Sequence, residues 1–260
     1  MPALKIGIQI ASLGLPLKQA VPLVAQWGVQ AIELDARRGF TPDEASQTAL
    51  RQLRKMLSDH RLRVSAVSYA TRRGYDTLDD LERRVDGTKR AMTMAGALGS
   101  PVVVNRVGDI PEKTQGPAWD LLLQVLHDLG RHGQHAGALL AAETGGEEPA
   151  AIKRLLDALP IGSLGVDLNP GNLLVHGHSP LDAVQMLGPH ILHVHATDGV
   201  RDRARGRGQL VPVGRGMADW PALLGALEEQ DYRGDFTIER READDPAYEL
   251  EAAVKYLRSL

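Results

Sequence analysis

The sequence predicts an α/β fold, a (β/α)8 barrel of parallel strands ringed by helices. Short apolar runs alternate eight times with longer amphipathic ones, and the 260 residues match the length typical of such a closed barrel. The turn after the first apolar run also lacks the G-x-G-x-x-G spacing that would favour an open, doubly wound sheet, which is the second choice. With 43% hydrophobic residues and no Pro/Ser-rich linker, low-complexity tract or compositional break, residues 1–260 read as one domain.

Taken in order, Lys5–Leu13 (KIGIQIASL) reads as the first strand and Leu17–Gly28 as the first helix, with Gly28 suited to a helix stop. Val29–Arg37 is the second strand. Asp43–His60 reads as the second helix, opened by acidic residues that suit the positive end of its dipole. Arg63–Thr71 then precedes the helical Leu78–Gly99, and Pro101–Gly108 precedes Ala118–Gly137. Ala138–Gly145 leads to Glu148–Leu159, and Ser163–Pro170 to Pro180–Gly188. Ile191–Asp198 leads to Met217–Gln230, and Gly234–Arg240 to Pro246–Leu260.

Composition limits the chemistry. The absence of cysteine excludes disulfides, thiolate nucleophiles and cysteine-ligated zinc, so any metal must be held by oxygen and nitrogen. A formal charge of −3 supplies no global field for nucleic acid or an acidic membrane. The N-terminal segment does not read as a signal peptide and no apolar run approaches bilayer length, so a cytoplasmic protein is expected. Aromatic residues make up 4%, too few to suggest stacking platforms.

In the stretch ILHVHATD, strand alternation turns His193 and His195 to one face and Leu192 and Val194 to the other. The pair suits either satisfied core groups or a divalent metal, with Asp198 placed to orient one ring. In a (β/α)8 barrel the chemistry sits at the C-terminal ends of the strands. Those ends carry Glu33 and Asp35 on the second strand, Glu143 on the fifth, Asp167 and Asn169 on the sixth, and Glu239 on the eighth. Carboxylates converging on one mouth call for a compensating cation, so Glu143, His195 and Glu239 together point to a metal centre.

AIEL at the second strand, AETG at the fifth, VDLNPGNLL at the sixth, HVHATD at the seventh, VPVGRGMADWPALLGAL after it and RGDFTIER at the eighth together carry a resemblance. The chain resembles, over essentially its whole length, the xylose isomerase-like TIM barrels, the sugar phosphate isomerases and epimerases that include ketose 3-epimerases, inosose dehydratases and endonuclease IV. The resemblance implies one divalent metal, Mn2+ first with Mg2+, Co2+ or Zn2+ as the others, and Glu143, His195 and Glu239 at three ligand positions. Asn169 falls where ketose epimerases usually carry an aspartate. Either Asn169 ligates through its uncharged amide oxygen, the preferred reading, or Asp167, one inward layer deeper, takes its place. Asn172 and Arg201 fall at sugar-binding positions, with Asp167 beside them. Glu33 suits either a sugar hydroxyl or a salt bridge inside the barrel.

The chemistry such a centre supports is proton abstraction next to a carbonyl of a ketose or keto-polyol, through an enediolate. With Glu143 and Glu239 on opposite faces of the sugar, one removes the proton and the other returns it. A lyase or dehydratase acting on a keto-sugar or inosose is the alternative; a nuclease and a non-catalytic sugar-binding barrel rank lower. The expected partner is a small sugar-like molecule, with no nucleic acid or membrane; the family's habit suggests a homo-oligomer, although no interface is legible. Arg201, Arg203, Arg205, Arg207 and Arg215 read as a mobile loop, either a solvated charge run or a clamp on an anionic substrate. His176 and His178 read as turn residues, and His127, His132 and His135 as residues on or after a helix.

Overall fold

The computed structural model describes residues 4–202, 207–240 and 242–260. The first half runs β1 (Ile6–Gln9), α1 (Leu17–Gln26), β2 (Ala31–Asp35), α2 (Gln47–Asp59), β3 (Arg63–Ser68), α3 (Leu81–Ala97), β4 (Val102–Asn105) and α4 (Pro117–Ala136). The second runs β5 (Leu139–Glu143), α5 (Pro149–Ala158), β6 (Gly165–Leu168), α6 (Pro170–His176), α7 (Pro180–Leu187), β7 (Ile191–Ala196), β8 (Asp198–Asp202), β9 (Arg207–Val211), α8 (Trp220–Glu229), β10 (Phe236–Ile238) and α9 (Pro246–Arg258). Eight strands close a barrel in the order β1-β10-β7-β6-β5-β4-β3-β2. Every neighbouring pair is parallel, so all eight strands end at one mouth.

Two local expectations are corrected. Helix α2 starts after the acidic residues, at Gln47, because the Ser46 hydroxyl accepts the Ala49 N–H at 3.2 Å. Such a cap is worth about 1 kcal/mol. Asp43 instead pairs with Arg90, and the Glu44 carboxylate accepts from the Thr41 backbone and hydroxyl at 2.9 Å. The arginine-rich stretch after β7 is not a loop throughout: β8 and β9 form an antiparallel hairpin, with Asp198 opposite Val211. Arg203 and Arg205 lie outside the described residues.

The main apolar layer lies between sheet and helices and includes Ile8, Ile32, Val103, Leu126, Leu140 and Trp220. A smaller cluster of Ala66, Val102, Val104 and Ala141 is separate from it. Since Val102 and Val104 alternate with Val103, this second cluster fills the barrel interior on the β3–β5 side. The rest of the interior is polar. Thr237 Oγ1 on β10 lies 3.2 Å from Ser65 Oγ and 2.8 Å from His193 Nε2, and all three residues are buried.

Simple alternation fails at one point in β7. Ile191 pairs with Val166 and His193 with Asp167, so Ile191–Leu192 holds one more residue than β6 opposes. This bulge packs Leu192 against the inner cluster, whereas Val194 joins the outer layer as expected.

Two helix glycines make opposite predictions. A Cβ on Gly130 of α4 would lie 2.5 Å from the Ser163 backbone, whereas one on Gly225 of α8 would meet nothing within 4 Å. In urea unfolding, Gly225→Ala should stabilise the protein by about 0.5–1 kcal/mol. Gly130→Ala should destabilise it by about 1–3 kcal/mol despite the better helix propensity. Equal effects from both substitutions would refute the packing account.

Candidate metal centre at the barrel mouth

Glu143 ends β5, His195 lies near the end of β7, and Glu239 follows the last residue of β10. Three strands thus bring one ligand atom from each of these residues to within 4.8 Å of one another. A second group, Glu33, His193 and His195, meets the same limit. His195 belongs to both.

Below the mouth, His195 is held from two sides. Its Nδ1 lies 2.6 Å from Asp167 Oδ2 and its Nε2 lies 2.8 Å from Glu33 Oε2. His193 Nδ1 donates to the other Asp167 oxygen at 2.8 Å. Burial works against charge on His195, Asp167 and Glu33, but the attraction between opposite charges prevails. Asp167 and Glu33 hold the His195 imidazole well above its ordinary value. Burial raises the Asp167 carboxyl, yet His195 and His193 bring it down to about 2, and His195 likewise lowers Glu33. With both nitrogens facing carboxylates, this surrounding favours the imidazolium form of His195.

At the rim, carboxylates are anchored by amides. Asn169 Nδ2 and Asn172 Nδ2 both donate to Glu143 Oε1, at 2.9 and 3.0 Å. Gln9 Nε2 donates to Glu239 Oε1 at 2.7 Å and to Glu33 Oε1 at 3.1 Å. Arg106 Nε lies 3.6 Å from Glu143 Oε2.

Asn169 presents its nitrogen, not its oxygen, to this cluster. Its Oδ1 accepts the Asn172 N–H at 3.0 Å, as the N-cap of α6, and the Thr197 hydroxyl at 2.5 Å. To ligate through that oxygen, it would have to give up one of these two bonds. Asp167 lies deeper and contacts the histidines, and Glu33 sits in the inner network with no exposed surface. Asp198, expected to orient a histidine, does something else. Its carboxylate accepts the backbone N–H groups of Gly199, Gly214, Gly216 and Ala218 at 2.9–3.0 Å, pinning the hairpin and the segment after it. Arg201 lies on β8 with its guanidinium against Gly177, at the end of α6, and Asp35 accepts from the Arg37 and Arg38 backbone. His176 closes α6, its Nδ1 contacting the Asn172 carbonyl at 2.7 Å, and His132 and His135 contact carbonyls on or beside α4.

Gln9, Arg106 and Glu147 were absent from the sequence-derived set. Gln9 and Arg106 sit at and just after the ends of the first and fourth strands, so the rule that found Glu143 also reaches them. Glu147 follows Glu143 by four residues, and burial, then Asp109, pushes its carboxyl up.

The model of the family described as xylose isomerase-like TIM barrel matches residues 21–260. The chain belongs to this family. No curated protein sequence matches it. Among solved structures, a xylose isomerase domain protein from Planctomyces limnophilus is similar at a TM-score of 0.87 and 23% identity, covering 99% of this chain and 97% of that one. A xylose isomerase-like TIM barrel protein from Mycobacterium smegmatis, in complex with magnesium, gives 0.73 and 18% over 99% and 97%. D-psicose 3-epimerase from Clostridium cellulolyticum, with D-tagatose, gives 0.79 and 14% over 98% and 99%. At these identities the likeness shows the fold.

The donor set of this xylose isomerase-like barrel fits a divalent cation: two carboxylates and an imidazole, all within reach of one point. His195 could join such a set only in its neutral form and with one nitrogen turned away from a carboxylate, so metal affinity there would depend on pH.

Asp167→Asn tests the inner network. Leaving its buried partners uncompensated should cost about 3–5 kcal/mol at pH 7 in urea unfolding. Because folded Asp167 titrates near 2, below its ordinary 3.8, its contribution is present above that ordinary value and is lost as pH falls toward about 2. The variant should show a shallower acid limb. Unchanged stability at pH 7 with an unchanged acid limb would contradict the charges assigned.

Proposed function

We propose that the chain is a metal-dependent isomerase or epimerase of a ketose or keto-polyol. The observation that carries this reading is the convergence of Glu143, His195 and Glu239 from three strands to within 4.8 Å. Two similar folds bear epimerase names, D-psicose 3-epimerase and 3-keto-D-glucoside 4-epimerase, and support the same reaction class.

Glu143, His195 and Glu239 would hold the ion, Mn2+ being our first choice. Bound there, a divalent cation supplies Lewis-acid stabilisation of charge developing on a substrate carbonyl oxygen. The proton chemistry belongs to the two glutamates. β5 and β10 are separated in the barrel by β6 and β7, so Glu143 and Glu239 reach the mouth from different sides. One glutamate, as the carboxylate, removes the proton from the carbon next to the carbonyl, leaving an enediolate; the other, as the carboxylic acid, gives a proton to the opposite face, and exchange with water resets both. Asn169 and Asn172 orient Glu143, and Gln9 orients Glu239.

Two measurements test this. Calorimetric titration with Mn2+ in buffers of different ionisation enthalpy should show net proton release, affinity rising with pH, and loss of binding in His195→Ala; binding without proton release would refute the imidazolium assignment. Incubating ketoses in D2O with the loaded protein should exchange a carbon-bound proton, read by NMR. Glu143→Gln and Glu239→Gln should each slow exchange by about 100-fold or more. Metal binding without exchange, or loss of water from the sugar, overturns the isomerase reading.

A further inference from the structure

The loops after β2 and β3, with helix α3, line an open cleft of about 820 Å3 at the mouth end of the barrel. That volume lies within the range of small-molecule sites, roughly 300–1,000 Å3. The wall connects to the candidate metal centre through few residues. Lining residue Thr71 donates its backbone N–H to Asn105 Oδ1 at 3.2 Å, and the next residue, Arg106, approaches Glu143.

Six arginines and three aspartates line this cleft. Arg73 pairs with Asp79, and Arg90 with Asp43. Arg84 is clasped by the carbonyls of Gly74, Thr77 and Asp79. Among the described residues, Arg37, Arg72 and Arg83 have no ion-pair partner, and of the three lining aspartates Asp43 and Asp79 are already paired with other arginines. The Arg37 guanidinium carbon lies 5.3 Å from the Tyr69 ring centroid, so an aromatic face holds one side of it. Like charges gathered in a concavity repel one another, and an anion relieves that repulsion. A neutral polyol accepts hydrogen bonds from guanidinium groups but leaves their charge unbalanced, whereas a carboxylate or phosphate matches both the charge and the forked donors.

We propose that this cleft binds the acid group of the substrate, a carboxylate or phosphate on the sugar remote from the reacting carbonyl. The assignment rests on the isomerase reading for the identity of the other half of the ligand. Arg37, Arg72 and Arg83 bind and position; they do not touch the reacting atoms.

Binding is measured by calorimetry, without turnover, for D-fructose, D-fructose 6-phosphate, D-fructuronate and inorganic phosphate. The proteins compared are wild type, the Arg72→Gln/Arg83→Gln double variant and Arg131→Gln. Arg131 is exposed on α4 near the opposite end of the barrel and controls for net charge. The wild type should prefer at least one acid over D-fructose by about tenfold or more. The double variant should lose that preference with D-fructose affinity unchanged, and Arg131→Gln should keep it. The two acid sugars show whether carboxylate or phosphate is recognised. Equal binding of acid and neutral sugars, a preference that survives in the double variant, or no arginine-dependent binding of any probe overturns the proposal. Deuterium exchange without an acid preference sinks the acid subsite alone. An arginine-dependent acid preference without exchange sinks the isomerase reading alone.

Discussion

The arrangement depends on one buried clamp, the His195 imidazolium held between Asp167 and Glu33 at 2.6 and 2.8 Å. Neither carboxylate could stay ionised in the barrel interior alone, and neither could the imidazole. Together they satisfy one another and fix the ring that faces the mouth. The clamp continues through Gln9, whose amide touches both Glu33 and Glu239. One line of hydrogen bonds thus runs from β6 through β7, β2 and β1 to the end of β10. The same bonds that orient His195 also occupy its nitrogens, so structural neutralisation would compete with metal ligation for one side chain.

The interior is divided to suit this. On the β3–β5 side, Ala66, Val102, Val104 and Ala141 fill it with close-packed apolar groups. Toward β10 and β7 it is built of Ser65, Thr237, His193 and Asp167, each with a hydrogen-bond partner. Polar groups in low dielectric are rigid when satisfied, so the acidic side of the mouth is oriented before any ligand arrives.

The barrel was legible because period-two and period-3.6 patterns recur in eight successive units, and the meeting of Glu143, His195 and Glu239 because parallel strands of a closed barrel end at one mouth. What was missed had local causes. N-P-G-N at the start of α6 carries the signature of a helix cap, Asn before Pro, but the position of Asn169 suggested a ligand instead. Ser46 was a better helix start than Asp43 or Glu44 for the same reason. Gln9 was overlooked because an uncharged amide does not stand out beside carboxylates. The extra residue in β7 cannot be seen from its own strand, since a bulge is a relation between two strands. The four bonds of Asp198 depend on a loop folding back over twenty residues.

Gln9 has a further consequence for assembly. It stands at the seam where the chain's earliest strand, β1, meets its latest, β10. Through Gln9, Glu239 is held across that seam, so its orientation draws on both ends of the chain. The group drawn from β5, β7 and the end of β10 thus exists only in the closed ring, with the chain's two ends side by side.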